Sequence, residues 1–360
     1  MTRLERIRAE MESEGLAALL LFDDKSIYYA CGFMPTDSAA FISLCGGAWL
    51  ITDSRYTEDA ERSCAAGFEV LCSTADAPLL RQLGALYRTC AENAPLPLGV
   101  EAAKLSHQIY CTLESELECT LAPADGLLTR LRASKDEDEL ESIIAAQRIA
   151  EAAYEAVLPL IKPGVREYEL AAELTYQMLR RGAERMSFDP IVLTGAHTSM
   201  PHGVPGAAEI KSGDFVTMDF GCVKNGYCSD MTRTVAVGYA TDEMKSVYET
   251  VLRAQRAGIA AAKPTATGAR VHGAGAQVIE RAGFGKYFGH SFGHGVGLDI
   301  HEAPNASPRN EKPLGEGAVI TAEPGIYLPG RFGVRIEDML HLRGGGRRNL
   351  TRAPKELLIL

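Results

Sequence analysis

Residues 214–238, DFVTMDFGCVKNGYCSDMTRTVAVG, constrain the fold most strongly, because they predict a β-hairpin with a defined register. The Asn-Gly pair at 225–226 is a favoured sequence for a type I′ turn. If this pair forms the loop, Gly221 faces Asp230 across the hairpin. Asp219 then lies one diagonal step from Asp230 on the same face, with the Cβ atoms about 5–8 Å apart. The register therefore predicts two neighbouring carboxylates.

Two carboxylates held this close repel each other unless a cation joins them. No basic residue lies between them on that face, so the pair indicates a metal site. A solvent-facing strand pair with exposed acids is the alternative. Val216, Met218 and Phe220 alternate with Thr217 and Asp219, which indicates that both faces of the strand are covered.

A second segment, GHSFGHGVGLDIHEAP at 289–304, places three of the eight histidines within twelve positions. These are His290, His294 and His301, and the glycines among them permit close approach of the backbone. A single histidine here would more often be a satisfied core residue. The cluster favours a binding or catalytic site.

A third segment, GAVITAEPGIYLPGRFGVRIEDML, places Glu323 in an apolar run, where an unpaired carboxylate would cost several kcal/mol. In the strand GVRIEDM, Val334 and Ile336 point to one face, and Arg335 and Glu337 point to the other. Glu323 and Glu337 can therefore meet on one face, as the two aspartates do.

Oxygen ligands with one imidazole suit two Mn²⁺, Co²⁺ or Zn²⁺ ions a few ångströms apart, and the sequence does not choose among these metals. A fourth segment, FDPIVLTGAHTSMPHGVPG at 188–206, carries His202 in a loop between Pro201 and Gly203. By itself, this histidine fits a site or a surface equally well.

Strand and helix patterns alternate to about residue 130, which indicates an α/β domain. A helix at 3–14, ended by Gly15, precedes the β-like runs AALLLF, AFISLC and AWLITD. The rest of the chain predicts an α+β domain in which helices cover a curved antiparallel sheet. We expect domains at 1–130 and 134–360.

Three helices are expected in the second domain. Ser134 and Glu137 predict a capping box for a long helix that ends at 163–164. The other two helices cover about 166–181 and about 242–262. Hairpins are expected where 214–221 meets 227–238 and where 317–327 meets 333–342.

Composition excludes several functions. With 360 residues, a charge of −10 and a pI near 5.4, the chain lacks the basic excess that binds nucleic acid. No apolar run approaches the roughly 18 residues of a membrane span, and the charged N-terminus does not resemble a signal peptide. The nine cysteines lack CxxC spacing, which predicts free, mostly buried thiols. We therefore expect a cytoplasmic protein that binds neither membranes nor nucleic acids.

The four segments resemble, in order and spacing, those of the pita-bread metallopeptidases: methionine aminopeptidase, aminopeptidase P and prolidase. SIYYACGF and LITDSRYTEDAE are similar to the creatinase-type domain that precedes the catalytic domain in aminopeptidase P and prolidase. Methionine aminopeptidases lack that domain. The resemblance implies a creatinase-like α/β domain, a pita-bread catalytic domain, hydrolysis of the Xaa-Pro bond at peptide N-termini, and a homodimer.

The resemblance also implies roles for the metal ligands. Asp219 would bind one of two metals, Mn²⁺ above all, and Asp230 and Glu337 would bridge both. His294 and Glu323 would complete the other site. A hydroxide between the metals would be the nucleophile, with Glu323 as the general base.

Further roles follow from the same resemblance. His202 and His301 would stabilise the oxyanion, and Arg335 would steady the metal centre. His290 would line the proline pocket, and Phe188 the pocket of the preceding residue.

One position departs from the family pattern. Asn305 follows HEAP where many relatives carry arginine, although Arg309 remains nearby as a candidate for substrate binding. The missing cation favours aminopeptidase P over prolidase, which is the alternative. A same-fold hydrolase with another substrate and a non-catalytic binding module are further alternatives.

Overall fold

The computed structural model describes residues 1–44, 46–91, 97–117 and 119–360. These residues form two compact units, Met1–Arg132 and Ala133–Leu360. Among the helices that the structure describes, none is long and apolar enough to cross a membrane.

The first unit contains a six-stranded mixed sheet in the order β4-β3-β2-β1-β5-β6. Strand β1 is antiparallel to β2 and parallel to β5, and all four of its residues are buried. The strands are β1 (Ala18–Leu21), β2 (Ala39–Ser43), β3 (Ala48–Asp53), β4 (Phe68–Ser73), β5 (Leu98–Val100) and β6 (Leu121–Pro123). The helices are α1 (Arg3–Ser13), α2 (Asp24–Cys31), α3 (Thr57–Ser63), α4 (Leu79–Ala91), α5 (His107–Leu117) and α6 (Asp125–Ala133). The predicted α/β class is confirmed.

Helix α1 begins at a capping box in which Thr2 and Glu5 exchange side-chain and backbone hydrogen bonds. It buries Leu4, Ile7 and Met11, and Gly15 follows with a φ of 67°. The predicted helix and its glycine stop are therefore confirmed.

The described residues include eight cysteines, all with free thiols. Only Cys31, Cys222 and Cys228 are buried, so the prediction of mostly buried thiols is wrong for this set. Cys45, which ends the predicted strand AFISLC, lies outside the described residues.

In the second unit, every pairing between the named strands is antiparallel, and one isolated parallel bridge joins Ala236 to Ile359. The strands are β7 (Arg185–Met186), β8 (Ile191–Thr194), β9 (Phe215–Phe220), β10 (Cys222–Lys224), β11 (Tyr227–Cys228), β12 (Met231–Ala236), β13 (Gly293–Gly295), β14 (Glu302–Ala306), β15 (Val319–Ala322), β16 (Gly325–Leu328), β17 (Phe332–Arg335), β18 (Asp338–Arg343) and β19 (Gly346–Asn349). The helices are α7 (Glu137–Val157), α8 (Glu167–Leu179), α9 (Asp242–Ala261) and α10 (Gly268–Arg281), with 3-10 turns at Leu158–Leu160, Gly195–Ser199 and Gly285–Tyr287. The predicted α+β class is confirmed.

These strands form four sheets, in the orders β11-β10-β7, β12-β9-β8, β14-β13-β15-β18-β19 and β16-β17, and helices cover them through separate apolar clusters. Helices α7 and α8 pack on Val216, Met218 and Phe220 of β9. Helix α9 packs on Phe215 and on Val334 of β17. Thr217 and Asp219 point away from the face that carries Val216 and Met218, as the alternation predicts.

Helix α7 differs from its prediction at both ends. Asp136 caps it, because its side chain accepts from the Glu139 N–H at 3.0 Å and its own N–H donates to Glu139 at 2.9 Å. The predicted Ser134–Glu137 capping box is wrong. The α-helix ends at Val157, because Pro159 has no N–H to continue the ladder.

Helix α10 was not predicted, because glycines lower the helix propensity of its sequence. These glycines serve close packing. A Cβ at Gly275 would lie 2.4 Å from Phe292 Cε2, and a Cβ at Gly258 of α9 would lie 2.1 Å from Phe292 Cζ. The two helices can therefore close on one aromatic ring.

Candidate metal centre

The first hairpin places its two aspartates as the sequence predicts. Asn225 and Gly226 have φ values of 49° and 76°, as a type I′ turn requires. The β10–β11 and β9–β12 pairs share one register, which places Gly221 opposite Asp230. Asp219 is paired with Thr232 and lies diagonally from Asp230. The two carboxylates therefore face one side of the sheet.

The second hairpin brings two glutamates together. The β15–β18 and β16–β17 pairs also share one register, which places Glu323 opposite Glu337 between the two ladders. Val334 and Ile336 lie in the apolar cluster under α9, whereas Arg335 and Glu337 line a cavity. The strand thus separates core residues from site residues.

His294 lies in β13 between two glycines that the neighbouring strands require. A Cβ at Gly293 would lie 2.1 Å from Thr321 O, and a Cβ at Gly295 would lie 2.5 Å from Glu302 O. The His294 N–H donates to Thr321 Oγ1 at 3.0 Å, and this hydroxyl donates to Glu323 Oε1 at 3.0 Å. The backbone therefore fixes the imidazole beside Glu323.

Three distant stretches of chain meet at this point. His294 Nε2 lies 3.2 Å from Glu323 Oε1 and 3.5 Å from Asp230 Oδ2. Potential ligand atoms of Asp230, His294 and Glu337 all lie within 4.8 Å of one another. Asp219 is joined to the group through Arg335, whose Nη2 donates to Asp219 Oδ2 at 2.5 Å.

The carboxylates at the centre are poorly compensated. Burial raises the pKa of Asp230 well above its ordinary value, and the charges of Glu337 and Asp219 raise it further. Burial, followed by the charges of Glu323 and Asp219, likewise raises the pKa of Glu337. Asp219 Oδ1 and Glu337 Oε1 are buried without a hydrogen-bond partner. Such oxygens are costly unless a cation binds them.

Glu323 and His294 behave as a hydrogen-bonded pair. Burial raises the pKa of Glu323, but the hydrogen bond and charge of His294 outweigh it and lower the pKa to about 2. Burial lowers the pKa of His294, but the hydrogen bond and charge of Glu323 raise it above its ordinary value. Glu323 is therefore an anion at neutral pH.

The donor set fits divalent metal ions. Four carboxylates face Arg335, which is the only lysine or arginine among the described residues that line the cavity. His294 Nδ1 donates to the Gly295 carbonyl at 3.1 Å, so a metal would bind at Nε2 and displace the proton that Nε2 shares with Glu323 in the metal-free protein. The excess of buried oxygen anions and this imidazole orientation together describe a metal site.

The cavity has a volume of about 640 Å³. All five predicted metal ligands line it, and so do Arg335 and the predicted substrate contacts His202, His301, His290 and Phe188. Arg309 does not line the cavity. Its N–H donates to Ser307 Oγ at 3.1 Å in an exposed turn after β14, so the structure does not support its predicted substrate contact.

Two histidines of the cavity are neutral donors or acceptors at pH 7. Burial lowers the pKa of His301, whose ring centroid lies 4.2 Å from that of His294. Burial also lowers the pKa of His290. His290 Nδ1 lies 2.8 Å from the Ser291 carbonyl, so it carries the proton, and Nε2 accepts from Tyr327 Oη at 3.1 Å.

Tyr327 and Thr232 are two site residues that the sequence analysis missed, and both contact Arg335. Arg335 Nη1 donates to Tyr327 Oη at 2.8 Å, and Arg335 Nε donates to Thr232 Oγ1 at 3.1 Å. Thr232 Oγ1 in turn donates to Glu337 Oε2 at 2.7 Å. The hairpin registers could have identified both, because Thr232 pairs with Asp219 and Tyr327 lies diagonally from Arg335.

Comparisons with known proteins agree with this geometry. The family model of metallopeptidase family M24 matches residues 141–343, and that of the creatinase/prolidase N-terminal domain matches residues 3–134. The Xaa-Pro dipeptidase of Pyrococcus furiosus is 34% identical over 362 residues, which cover 99% of each chain.

Solved structures give the same result. The Xaa-Pro dipeptidase from Bacillus anthracis is similar with a TM-score of 0.94, at 38% identity and 99% coverage of each chain. The X-Pro aminopeptidase from Thermotoga maritima is similar with a TM-score of 0.89, at 34% identity and 100% coverage of each chain. The predicted creatinase-type and pita-bread folds are confirmed, and the chain belongs to metallopeptidase family M24.

Proposed function

We propose that this chain is an exopeptidase that hydrolyses the Xaa-Pro bond at the N-terminus of peptides, with residues 134–360 as its catalytic domain and 1–130 as its creatinase-type domain. One observation carries the proposal: the four carboxylates and the imidazole predicted to bind metal converge on a single cavity. The relatives named Xaa-Pro dipeptidase and X-Pro aminopeptidase support the substrate class.

Two divalent ions fit the charge of this donor set, with Mn²⁺ preferred and Co²⁺ or Zn²⁺ as alternatives. Asp219, Asp230, His294, Glu323 and Glu337 would hold these ions. Bound there, the ions would polarise the scissile carbonyl and lower the pKa of a water toward 7.

Glu323 is the proposed proton carrier. Its carboxylate lines the cavity beside His294, where it is placed to accept a proton from the attacking water. It then gives this proton to the proline nitrogen as the bond between that nitrogen and the carbonyl carbon breaks. The nitrogen needs this proton because it leaves as an amine, and an unprotonated amide anion would be too basic to be expelled.

His202 and His301 are the proposed donors to the substrate carbonyl oxygen as it gains negative charge. Because burial lowers the pKa of His301, its ring is neutral at pH 7 and donates one N–H. His290, held by Tyr327 and the Ser291 carbonyl, offers an uncharged wall for the pyrrolidine ring. Phe188 lines the same cavity and suits the side chain of the preceding residue.

The cavity favours substrates longer than dipeptides. A dipeptide places its carboxylate next to the proline ring, where it needs a cation. Arg335, the only arginine or lysine in the described lining, already binds Asp219 and Tyr327. Asn305, which also lines the cavity, is uncharged. We therefore favour an aminopeptidase P activity, and the relatives named Xaa-Pro dipeptidase favour prolidase as the second candidate.

The test compares Ala-Pro, Ala-Pro-Ala and Met-Ala-Ser as substrates of the Mn²⁺-loaded protein. We expect the highest kcat/KM for Ala-Pro-Ala. A preference for Ala-Pro supports prolidase, and a preference for Met-Ala-Ser rules out both. Asp219→Ala and His294→Ala should lose both activity and bound metal, and full turnover in either would contradict the ligand assignment.

We also propose that the protein is a cytoplasmic homodimer. Peptides with proline at the second position are its proposed partners. Sedimentation of the purified protein tests the dimer directly, and a monomer at micromolar concentration would contradict it.

A further inference from the structure

A buried carboxylate outside the cavity holds both ends of the loop that carries His202. Glu167 is the first residue of α8, and its side chain is fully buried. Its Oε1 accepts from the Thr194 N–H at 2.8 Å, and its Oε2 accepts from the Gly206 N–H at 2.9 Å. Residues 195–205 thus form a loop whose two ends meet at one side chain.

Main-chain contacts place the carboxylate firmly against the loop. The Glu167 N–H donates to Ala208 O and the Tyr168 N–H donates to Gly206 O, each at 3.2 Å. His197, inside the loop, adds a ring nitrogen 3.1 Å from Glu167 Oε1. No part of the proposed reaction uses this buried carboxylate.

The chemistry of the contact requires a carboxylate in particular. Both oxygens of Glu167 accept from backbone N–H groups, so an ionised side chain satisfies both ends of the loop at once. A glutamine would place its NH₂ group against one of these N–H groups and release that end. Burying a charge is costly, so we would expect a neutral side chain here if one could make the same two contacts.

The middle of the loop is attached to the strand that carries Arg335. Thr198 Oγ1 accepts from the Gly333 N–H at 2.8 Å, and Pro201 O accepts from Arg335 Nη1 at 3.4 Å. Pro201 and the next residue, His202, line the cavity. The position of the His202 ring therefore depends on both the middle and the ends of the loop.

We propose that Glu167 is a positioning residue, which clamps the two ends of the 195–205 loop and thereby aims His202 at the substrate carbonyl. This inference rests on the proposed function, because it takes His202 to act on the substrate. Glu167 itself touches neither substrate nor metal.

The test is a double-mutant cycle on the Mn²⁺-loaded enzyme with Ala-Pro-Ala. A displacement of about 1 Å in a catalytic group can cost about 100-fold in rate, so Glu167→Gln should lower kcat about 10- to 100-fold. KM and bound metal should change little. In the His202→Ala background, Glu167→Gln should have no further effect on kcat. Equal losses in both backgrounds would overturn the proposal.

Glu169→Gln is the matched control. Glu169 lies in the same helical turn, and its Oε2 accepts from the Arg166 N–H at 2.8 Å, but it is exposed and makes no hydrogen bond to the loop in the described structure. This variant should keep kcat within about twofold of the wild type, because it loses only part of a helix cap. A loss equal to that of Glu167→Gln would assign the effect to the helix and overturn the proposal.

Hydrogen exchange of residues 195–205 separates this inference from the proposed function. Exchange should rise in Glu167→Gln and stay unchanged in Glu169→Gln. If the wild type cleaves no Xaa-Pro peptide but exchange rises in Glu167→Gln, the clamp is supported and the proposed substrate class is wrong. Unchanged exchange overturns the clamp whatever the activity. If Glu167→Gln does not fold, Glu167→Asp serves instead, since its shorter side chain cannot reach both N–H groups.

Discussion

Glu337 and Asp338 are consecutive buried carboxylates in opposite environments. Asp338 accepts from Arg233 at 2.9 Å, from Lys355 at 2.6 Å and from Asn349 at 2.7 Å. Burial raises its pKa, but Arg233 and Lys355 outweigh this and lower it below the ordinary value. Glu337 accepts only from Thr232 among its described neighbours, its other oxygen has no partner, and its pKa is raised.

The difference separates a structural carboxylate from a proposed metal ligand. Alternation along the strand turns the two side chains to opposite faces, so one meets protein cations and the other meets further carboxylates. A second example lies nearby: Glu302 is paired with buried Lys135 at 2.6 Å, whereas its neighbour His301 lines the cavity. In both cases, the residue whose charge the protein itself compensates belongs to the scaffold.

The largest expected effect is on catalysis at the face that carries Glu323 and Glu337, here called the uncompensated face. Glu323→Gln removes the proposed proton acceptor while keeping the shape of the side chain. General-base catalysis contributes typically 10²–10⁴-fold, so kcat for Ala-Pro-Ala should fall by about that factor. Steady-state kinetics with Mn²⁺ and elemental analysis of bound metal give the result. Full turnover with normal metal content would remove Glu323 from the mechanism.

The opposite face carries Asp338 and is here called the compensated face. A substitution there should lower the free energy of unfolding. Asp338→Ala leaves Arg233 buried with an unmatched charge, which costs about 3–5 kcal/mol in comparable buried pairs. Urea unfolding of the Mn²⁺-loaded protein measures the change. Glu356→Ala is the control, because its ion pair with Arg256 is exposed and should contribute less than about 1 kcal/mol. Similar losses in the two variants would remove the distinction between the faces.

The sequence was sufficient to predict that the five proposed ligands meet at one cavity, and the reason is specific. A two-residue turn fixes its hairpin register, and this register brings Asp219 near Asp230 over a separation of eleven positions. Similarly, strand alternation separates Val334 from Arg335. These are local rules, and they hold wherever the chain returns directly on itself.

Other features depend on packing between distant segments, and local rules could not supply them. Gly275 of α10 lowers helix propensity in isolation, but it fits against the ring of Phe292, which follows later in the chain. The exposed position of Arg309 is set by a turn after β14, so its closeness in sequence to Asn305 did not bring it to the cavity. The clamp by Glu167 joins residues about thirty positions apart, again without a local signal.

A smaller effect is expected where a neutral group touches the uncompensated face. Thr232→Val removes the hydroxyl that donates to Glu337 and accepts from Arg335. Groups that orient metal ligands typically contribute 10–100-fold in metal affinity, so Mn²⁺ affinity should fall by about that factor in calorimetric titration. Thr234→Val is the control, because this buried hydroxyl contacts Thr217 and the Arg335 carbonyl but no carboxylate. Equal loss of affinity in both would show that packing alone is responsible.

The smallest effect concerns the pH dependence of the metal-free protein, where the two faces have opposite signs. The folded pKa of Asp230 and of Glu337 is raised above ordinary values of 3.8 and 4.5, so their contribution favours folding below those values and is lost as pH rises through the folded pKa. The folded pKa of Asp338 is lowered, so its contribution is complete above 3.8 and is lost only as pH falls through its folded pKa.

Between pH 5 and pH 8, raising the pH should lower stability through the uncompensated face and through Glu101, whose pKa burial raises to about 7, at no more than about 1.4 kcal/mol per pH unit for each proton released. Glu337→Gln should reduce this slope in EDTA-treated protein, because it removes one acid and weakens the repulsion on Asp230. Saturating Mn²⁺ should have the same effect in the wild type, because the ion replaces the proton as the counter-charge. Urea unfolding at both pH values tests this, and a slope that Glu337→Gln leaves unchanged would mean that Glu337 is compensated by some other group.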